Sequence, residues 1–378
     1  MKQPGEYVQT SKGYRAFVPD PLPPGLSWTL QLVYALSDAD RAIARLAGEG
    51  RRLPNPHVLM RPFITREAVL SSRIEGTQAT LGELLAADAG AVVARSPEDL
   101  REVANYVFAL EYGIERLATL PLSVRLVREI HGRLMEGVRG GHARPGEIRT
   151  VQNWIGLPGS TPQTADYVPP PPARLSDLLE GFERFLHDTT LPPLVQIGLA
   201  HYQFEAIHPF LDGNGRIGRL LITLFLVKRD ILPTPLLYLS AFFEATRSEY
   251  YTRLRAVTEE GDWDAWLLYF LNGVARQSED AVDRAARIQE TLDAWRLRLA
   301  GLGSDTPAHV LELLAGNPFV TAKGIAARLG IARSTASRAI GRLVDLGVLT
   351  QVGTRKRDRS YLAKELLDIL EEPAKLTR

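Results

Sequence analysis

The feature that most constrains this chain is the recurrence of Leu, Ile and Val at spacings of three and four residues. It runs through Leu30 to Leu46, Thr65 to Ala86, Pro97 to Ala118, Leu122 to Gly137 and Leu175 to His187, then Pro193 to Ala206, Ile217 to Asp230, Ser248 to Glu259 and Trp263 to Ala300. That period lays apolar side chains along one stripe of a helix, whereas a half-buried strand needs a period of two. The bulk of the chain is therefore expected to be mainly α, and Thr65 is expected to cap the helix entered at Arg66-Glu67-Ala68.

Two segments break the pattern. From Arg149 to Pro172, two short stretches with aromatic and β-branched residues flank a Gly/Pro/Ser/Thr centre, and Pro169 to Pro172 confine them to an edge. This predicts an exposed β-hairpin flap, with Trp154 packing its base. The second break is Gly301 to Pro307, a short linker. Beyond it lie helical runs at His309 to Ala315, Thr321 to Leu329 and Arg333 to Leu346, then an alternating stretch from Val348 to Leu362.

Composition closes several classes. With no cysteine there is no disulfide framework, thiolate metal site or cysteine nucleophile, which makes the cytoplasm the simplest address. The most apolar stretch, Leu220 to Val227, falls far below the roughly 18 residues a membrane span needs, so no membrane partner is expected. The net charge of +1 is an average: Thr321 to Ser360 holds nine Lys/Arg against two Asp/Glu, net +7, which leaves −6 for the rest.

The densest chemistry is His208-Pro-Phe-Leu-Asp212-Gly-Asn-Gly-Arg216-Ile-Gly-Arg219. Gly213 and Gly215 around Asn214 permit a tight turn whose backbone N–H groups gather into one anion-binding concavity. The apolar helical run that follows adds its unpaired N–H groups and positive dipole end to the same point. Arg216 and Arg219 stand three apart on its first turn and can grip phosphate oxygens. Asp212 is a hard oxygen ligand suited to Mg²⁺, and His208 is a titratable base. Gly213 to Gly218 also spells G-x-G-x-x-G, but a helical run precedes it and no βαβ alternation surrounds it, so a dinucleotide fold is rejected.

His208 to Arg219 matches the HPFxDGNGRxxR motif and thereby resembles the Fic family, whose members typically transfer AMP from ATP to a protein hydroxyl. Gln152-Asn153-Trp154-Ile155-Gly156 and Asp166-Tyr-Val-Pro-Pro170 are similar to the family's target-docking flap, and Ser71-Ser-Arg-Ile-Glu75-Gly76 is similar to its inhibitory motif. The resemblance implies an autoinhibited adenylyltransferase using ATP and Mg²⁺, with a target protein that presents a Ser, Thr or Tyr hydroxyl. His208 would be the base, Asp212 the metal ligand, and Gly213, Asn214 and Gly215 the cradle for the α- and β-phosphates. Arg216 and Arg219 would hold the outer phosphates. Glu75, on a helix with Ser71 on the same face, would pair with Arg219 and displace the γ-phosphate. It could instead position a water for removal of AMP. Tyr250 and Tyr251 fall near the family's adenine pocket, and core-facing aromatics are the equal alternative.

The C-terminal stretch resembles a winged helix-turn-helix. Arg333, Ser334, Thr335, Ser337 and Arg338 at the start of its last helix, with Arg355, Lys356, Arg357 and Arg359 in the wing, suit DNA phosphates and base edges. A dimerisation or docking role is the alternative, a homodimer is compatible with the sequence, and a DNA-binding regulator that senses nucleotide is the rival reading of the whole chain. The expected layout is an N-terminal helical segment with the inhibitory helix over 1–110, a core with its flap near 149–172 over 111–300, and the winged module over 305–370. His57, His131, His142, His187, His201 and His309 lie in no motif and are read as ordinary core or surface residues, with no zinc site.

Overall fold

The computed structural model describes residues 4–52, 56–91, 93, 95–138, 144–300, 305–353 and 358–376, with 56–59 as backbone only. No strand is expected near the start of the sequence, yet β1 (Gly5–Gln9) pairs antiparallel with β2 (Arg15–Pro19), Tyr7 facing Phe17. Its turn is built at Thr10 and Gly13, where Gly13 takes a left-handed φ of 82°. The Phe17 amide donates to Val168 O at 2.9 Å, so this hairpin lies against the flap.

Helices follow in the order α1 (Leu30–Arg52), α2 (Pro56–Ile74), α3 (Leu81–Asp88), α4 (Pro97–Arg116), α5 (Val124–Leu134), α6 (Leu175–Leu186), α7 (Pro193–Ile207), α8 (Asn214–Lys228), α9 (Ser240–Ala245), α10 (Arg247–Glu260) and α11 (Trp263–Leu299). The expected helix from Thr65 to Ala86 is instead two. Thr65 lies inside α2, its hydroxyl donating to Arg61 O at 2.9 Å, so it caps nothing. The cap belongs to α3, where Thr80 and Glu83 form a reciprocal capping box.

The catalytic-looking segment hangs on α7 and α8. α7 is apolar on nearly every side and buried among its neighbours, as a helix without a polar face must be. Gly198 admits the ring of Phe270 from α11 and accepts the indole N–H of Trp266 at 2.9 Å. α8 leaves the loop at Gly213 and drives Ile217, Leu220 and Leu224 into the same core.

The C-terminal module comprises α12 (Thr306–Gly316), β3 (Phe319–Thr321), α13 (Ala322–Leu329), α14 (Arg333–Asp345), β4 (Thr350–Val352), β5 (Ser360–Leu362) and α15 (Lys364–Glu371), the strands antiparallel in the order β3-β5-β4. This is the expected winged helix, plus α15, whose Leu366, Leu367, Ile369 and Leu370 are buried. The module is seated on α2 and α3: Asn317 Nδ2 donates to Leu85 O at 2.9 Å, and the Gly82 amide donates to Glu371 Oε1 at 3.0 Å. Buried Arg284 of α11, paired with Asp280, donates to the carbonyls of Ile369, Glu372 and Pro373. One continuous cluster of buried side chains runs from Leu32 to Leu370. Among the described residues no helix is long and apolar enough to cross a membrane.

Candidate active site

α7 ends on His208 in a left-handed conformation, φ 49° and ψ 61°. The chain therefore turns sharply at this residue and returns as α8 six residues later. His208 Nδ1 lies 3.3 Å from Glu205 O, which assigns the N–H to Nδ1 and leaves Nε2 with a free lone pair. Burial pushes its pKa down to about 4; Arg149 acts in the same direction, while the Glu205 carbonyl, Glu75 and Asp212 oppose. The imidazole is neutral at pH 7, the state a proton acceptor requires.

The loop between the helices is held by contacts that the motif does not announce. Asn214 spends both ends of its side chain on Phe210: Oδ1 accepts the Phe210 amide at 2.8 Å and Nδ2 donates to its carbonyl at 2.9 Å. Its expected contribution to an anion cradle is thus restricted to its backbone N–H. Gly213 caps α8 at φ 76°, against the Met135 sulfur. The first amides of α8 have no earlier turn to donate to and lie at the positive end of the helix. His131, assigned no motif, proves to be a loop-builder. Its Nδ1 accepts the Gly146 amide at 2.8 Å, so Nε2–H donates to Asp212 O at 3.0 Å, and its ring stacks on Phe210 at 3.8 Å. Burial holds its pKa down to about 4, which keeps the donor and acceptor roles distinct. His201 is likewise a satisfied core residue, bonded to Gly218 O and the Tyr250 hydroxyl.

The two arginines, expected to act alike, are placed differently. Arg216 is 3% exposed, is bonded to Glu102 of α4, and points a second nitrogen toward Met135 Sδ at 3.6 Å. It is therefore committed to a partner inside the helical core and is not presented as a free phosphate ligand. Arg219 is equally buried, but donates to Ser71 Oγ at 2.9 Å, Ser71 O at 3.0 Å and Glu75 Oε1 at 2.6 Å. The expected Glu75–Arg219 pair is thus present. Glu75 stands one residue past the end of α2, at a turn completed by Gly76 with φ 99°, and not on the helix itself. A Cβ on Gly215 would collide with Glu75 Oε1, so the carboxylate sits directly over the start of α8. Burial alone would raise the Glu75 pKa, but Arg219, with Arg216 and His208 acting in the same direction, holds it below the usual range.

Further down α2, Glu67 is buried, and accepts from Ser240 N at 3.1 Å, Ser240 Oγ at 2.5 Å and the Tyr106 hydroxyl at 3.2 Å. Two turns before Glu75, it anchors the helix that aims Glu75. Asp212 is 53% exposed at the loop mouth, with Oδ1 accepting the Gly213 amide at 2.6 Å and lying 3.7 Å from Arg216. Glu205 packs against Gly218, where a Cβ would collide with it; its Oε1 is buried without a hydrogen-bond partner among the described residues, and burial pushes its pKa up to about 7 against the pull of Arg219.

Between α7, α10 and the flap lies a cavity of about 770 Å³, lined by Tyr202, Glu205, Tyr251, Arg255, Gly156 and Leu157 among others. It divides the two tyrosines. Tyr250 is core, 1% exposed and stacked on Phe243, whereas Tyr251 is 40% exposed and lines the cavity. Adjacent helical residues point about 100° apart, so only one of them can face it.

The flap is less regular than expected. Ile155 and Tyr167 exchange backbone hydrogen bonds in one isolated bridge, 2.8 and 3.0 Å, which is not extended into a strand among the described residues. Asn153 Nδ2 donates to Phe210 O at 2.7 Å and ties the flap to the loop, and Gly156 lets Ser160 pack close. Trp154 does not pack the base: it is 41% exposed, with Nε1–H donating to Ser160 O. In the C-terminal module, Arg333, Ser334, Ser337 and Arg338 are exposed on α14, while Thr335 is half-buried and accepts from Arg338 at 3.4 Å. Arg355, Lys356, Arg357 and His142 lie outside the described residues.

Residues 33–115 match the Fic/DOC family N-terminal pattern, 121–226 the Fic/DOC family pattern, and 304–360 the MarR family pattern. The chain is 31% identical over 198 residues to the protein adenylyltransferases Fic of Drosophila erecta and Drosophila melanogaster, a match covering 50% of this chain and 36% of theirs. The chain thus spans little more than a third of the length of these curated relatives. A Fic family protein from Desulfovibrio desulfuricans shares the fold over 90% of this chain and 98% of its own, with a TM-score of 0.61 and 22% identity. A Fic domain containing signalling protein from Bacteroides thetaiotaomicron aligns over 67% of this chain and 95% of its own, with a TM-score of 0.51 and 19% identity.

Proposed function

Since the chain belongs to the Fic/DOC family, we propose that it is a protein adenylyltransferase restrained by its own Glu75. The observation that carries this reading is the neutral His208 beside a helix start whose anion position is occupied by the Glu75 carboxylate. The Fic adenylyltransferases of Drosophila support the class of reaction over the matched region.

In the reaction, His208 Nε2 takes the proton of a target hydroxyl as its oxygen attacks the α-phosphorus of ATP. The bond from that phosphorus to the bridging oxygen breaks, and pyrophosphate leaves as AMP becomes esterified to the protein. The amides opening α8 and the Arg219 guanidinium stabilise the growing phosphate charge, which is the principal work of a site that makes no covalent intermediate. Asp212 fits Mg²⁺: its carboxylate is half exposed at the nest, and Mg²⁺ is commonly held by one or two carboxylates plus substrate phosphates. When bound, the ion would neutralise phosphate charge. The cavity beyond Glu205 would take the nucleoside, with Tyr251 along one wall.

Glu75 restrains the enzyme because it occupies Arg219 and covers Gly215, where an outer phosphate would lie. Incubation with ATP labelled at the α-phosphate is expected to label protein, more strongly with Glu75→Gly and not at all with His208→Ala. Equal labelling by the unaltered protein and His208→Ala would sink the mechanism. Removal of AMP is the reverse reading, and there Glu75→Gly loses activity where the transferase gains it.

The exposed Arg333, Ser334, Ser337 and Arg338 favour a second role for α14, in the major groove of duplex DNA. The MarR pattern over 304–360 supports this role. A salt-sensitive gel shift that survives His208→Ala and is weakened by Arg338→Ala is the expected result, and the two roles can coexist.

A further inference from the structure

Arg149 has no place in the motif, the inhibitory pair or the cavity. It is 3% exposed, and among the described residues its guanidinium meets no carboxylate. Its partners are carbonyls instead: Nε donates to His208 O at 2.9 Å, Nη1 to Val151 O at 3.3 Å, and Nη2 to Pro170 O at 2.6 Å and Ile207 O at 3.5 Å. Its own amide donates to Pro209 O at 3.0 Å. Burial lowers its pKa to about 10, so it remains charged at neutral pH.

Burying a cation without a counter-charge is costly unless its hydrogen bonds are met, and here carbonyl oxygens meet them. The four carbonyls fall into two groups. Val151 and Pro170 are the two stems of the flap, whereas Ile207 and His208 are the end of α7 where the chain turns left-handed. A planar fork with five N–H donors can hold both groups in one plane, and an ammonium cannot.

We infer that Arg149 is a positioning residue that locks the flap to the turn presenting His208, so that a hydroxyl carried on the flap and the base that takes its proton stay in register. This rests on the transferase reading. The amides of α8 and Arg219 are not among its partners, so the phosphate contacts of the nucleotide do not pass through it.

The test uses the full chain with Glu75→Gly as parent and adds Arg149→Met or Arg149→Lys. Displacing a base by about 1 Å can cost about 10²-fold, so Arg149→Met is expected to lower kcat by that order, with KM for ATP within about twofold. Arg149→Lys, which keeps the charge and some of the donors, recovers part of the loss and serves if the Met variant does not fold. Independently of activity, hydrogen exchange at the Ile155 and Tyr167 amides accelerates in either variant while that of α7 does not. A kcat close to the parent's, a KM that rises as kcat is kept, or unchanged exchange at Ile155 and Tyr167 overturns the assignment. An inactive Glu75→Gly parent defeats the transferase reading instead, and the exchange measurement still decides the role of Arg149.

Discussion

Two helices in this chain open with arginines, and their surroundings are opposite. At the start of α8, Arg216 and Arg219 are 3% and 2% exposed, each with a carboxylate, beside a glycine cap. At the start of α14, the side chain of Arg333 is 61% exposed and only loosely near Asp358 at 3.7 Å, Arg338 is exposed, and Ala332 offers no side-chain cap. The first is shaped before any ligand arrives and admits a small anion only by exchange with a group already there. The second is an open cationic surface, suited to a large polyanion and to the ionic strength dependence that counter-ion release brings. Within α8 the contrast recurs, since the partner of Arg216 lies inside a helix and that of Arg219 lies one residue beyond a helix end.

The sharpest break would come at Arg219. Arg219→Ala is expected to lower transfer by about 10²-fold even when Glu75 is already glycine, measured as single-turnover label incorporation. Glu102→Ala strips Arg216 of its buried partner and should cost about 3 kcal/mol in denaturant unfolding without raising transfer. Glu75→Gly gives the reverse pattern, a rise in transfer of about tenfold or more with a smaller loss of stability, because Arg219 keeps its two hydrogen bonds to Ser71 when the carboxylate is removed. If Glu102→Ala activates as strongly as Glu75→Gly, the distinction between the two arginines fails. At α14, Arg338→Ala should reduce the slope of log K against log salt for duplex binding by about 1. The smallest effect is that of pH. His208 acts in its proton-free form and its pKa is lowered to about 4, so transfer should be nearly level from pH 7 to 5.5 and fall only as pH drops through 4. A fall centred near pH 6.5 would mean that the imidazole is not held neutral by burial.

How far the sequence could be read follows from the range of each contact. Helical periodicity located the helices because a helix such as α5 or α6 declares its buried face within a few residues. The turn at Gly213 was readable for the same reason, being local. The fate of Arg216 was not, because Glu102 lies 114 positions away and nothing in the spacing of Arg216 and Arg219 separates them. Asn214 looks like a ligand in the motif, yet its amide closes on Phe210 four residues earlier, a contact visible only once the loop is folded. Thr65 was mistaken for a cap because α2 begins at Pro56, upstream of the periodic stretch. The hairpin of β1 and β2 was missed although Tyr7, Val8, Phe17 and Val18 flank a turn ending in Gly13; neighbouring prolines masked the signal. Arg149 left no trace at all, since carbonyl partners carry no residue identity.

Gly215 has one further consequence. A side chain there would strike Glu75, and it would equally fill the space above the α8 amides that an incoming phosphate needs. The restraining carboxylate and the proposed substrate therefore depend on the same missing methyl group. Mutational drift at position 215 has no route to constitutive activity, because any residue that ejects Glu75 also narrows the place where ATP must lie. Heritable release must instead arise on the far side of the contact, in the segment from Ser71 to Gly76 or in what supports it, where a change can move the inhibitor and spare the cradle.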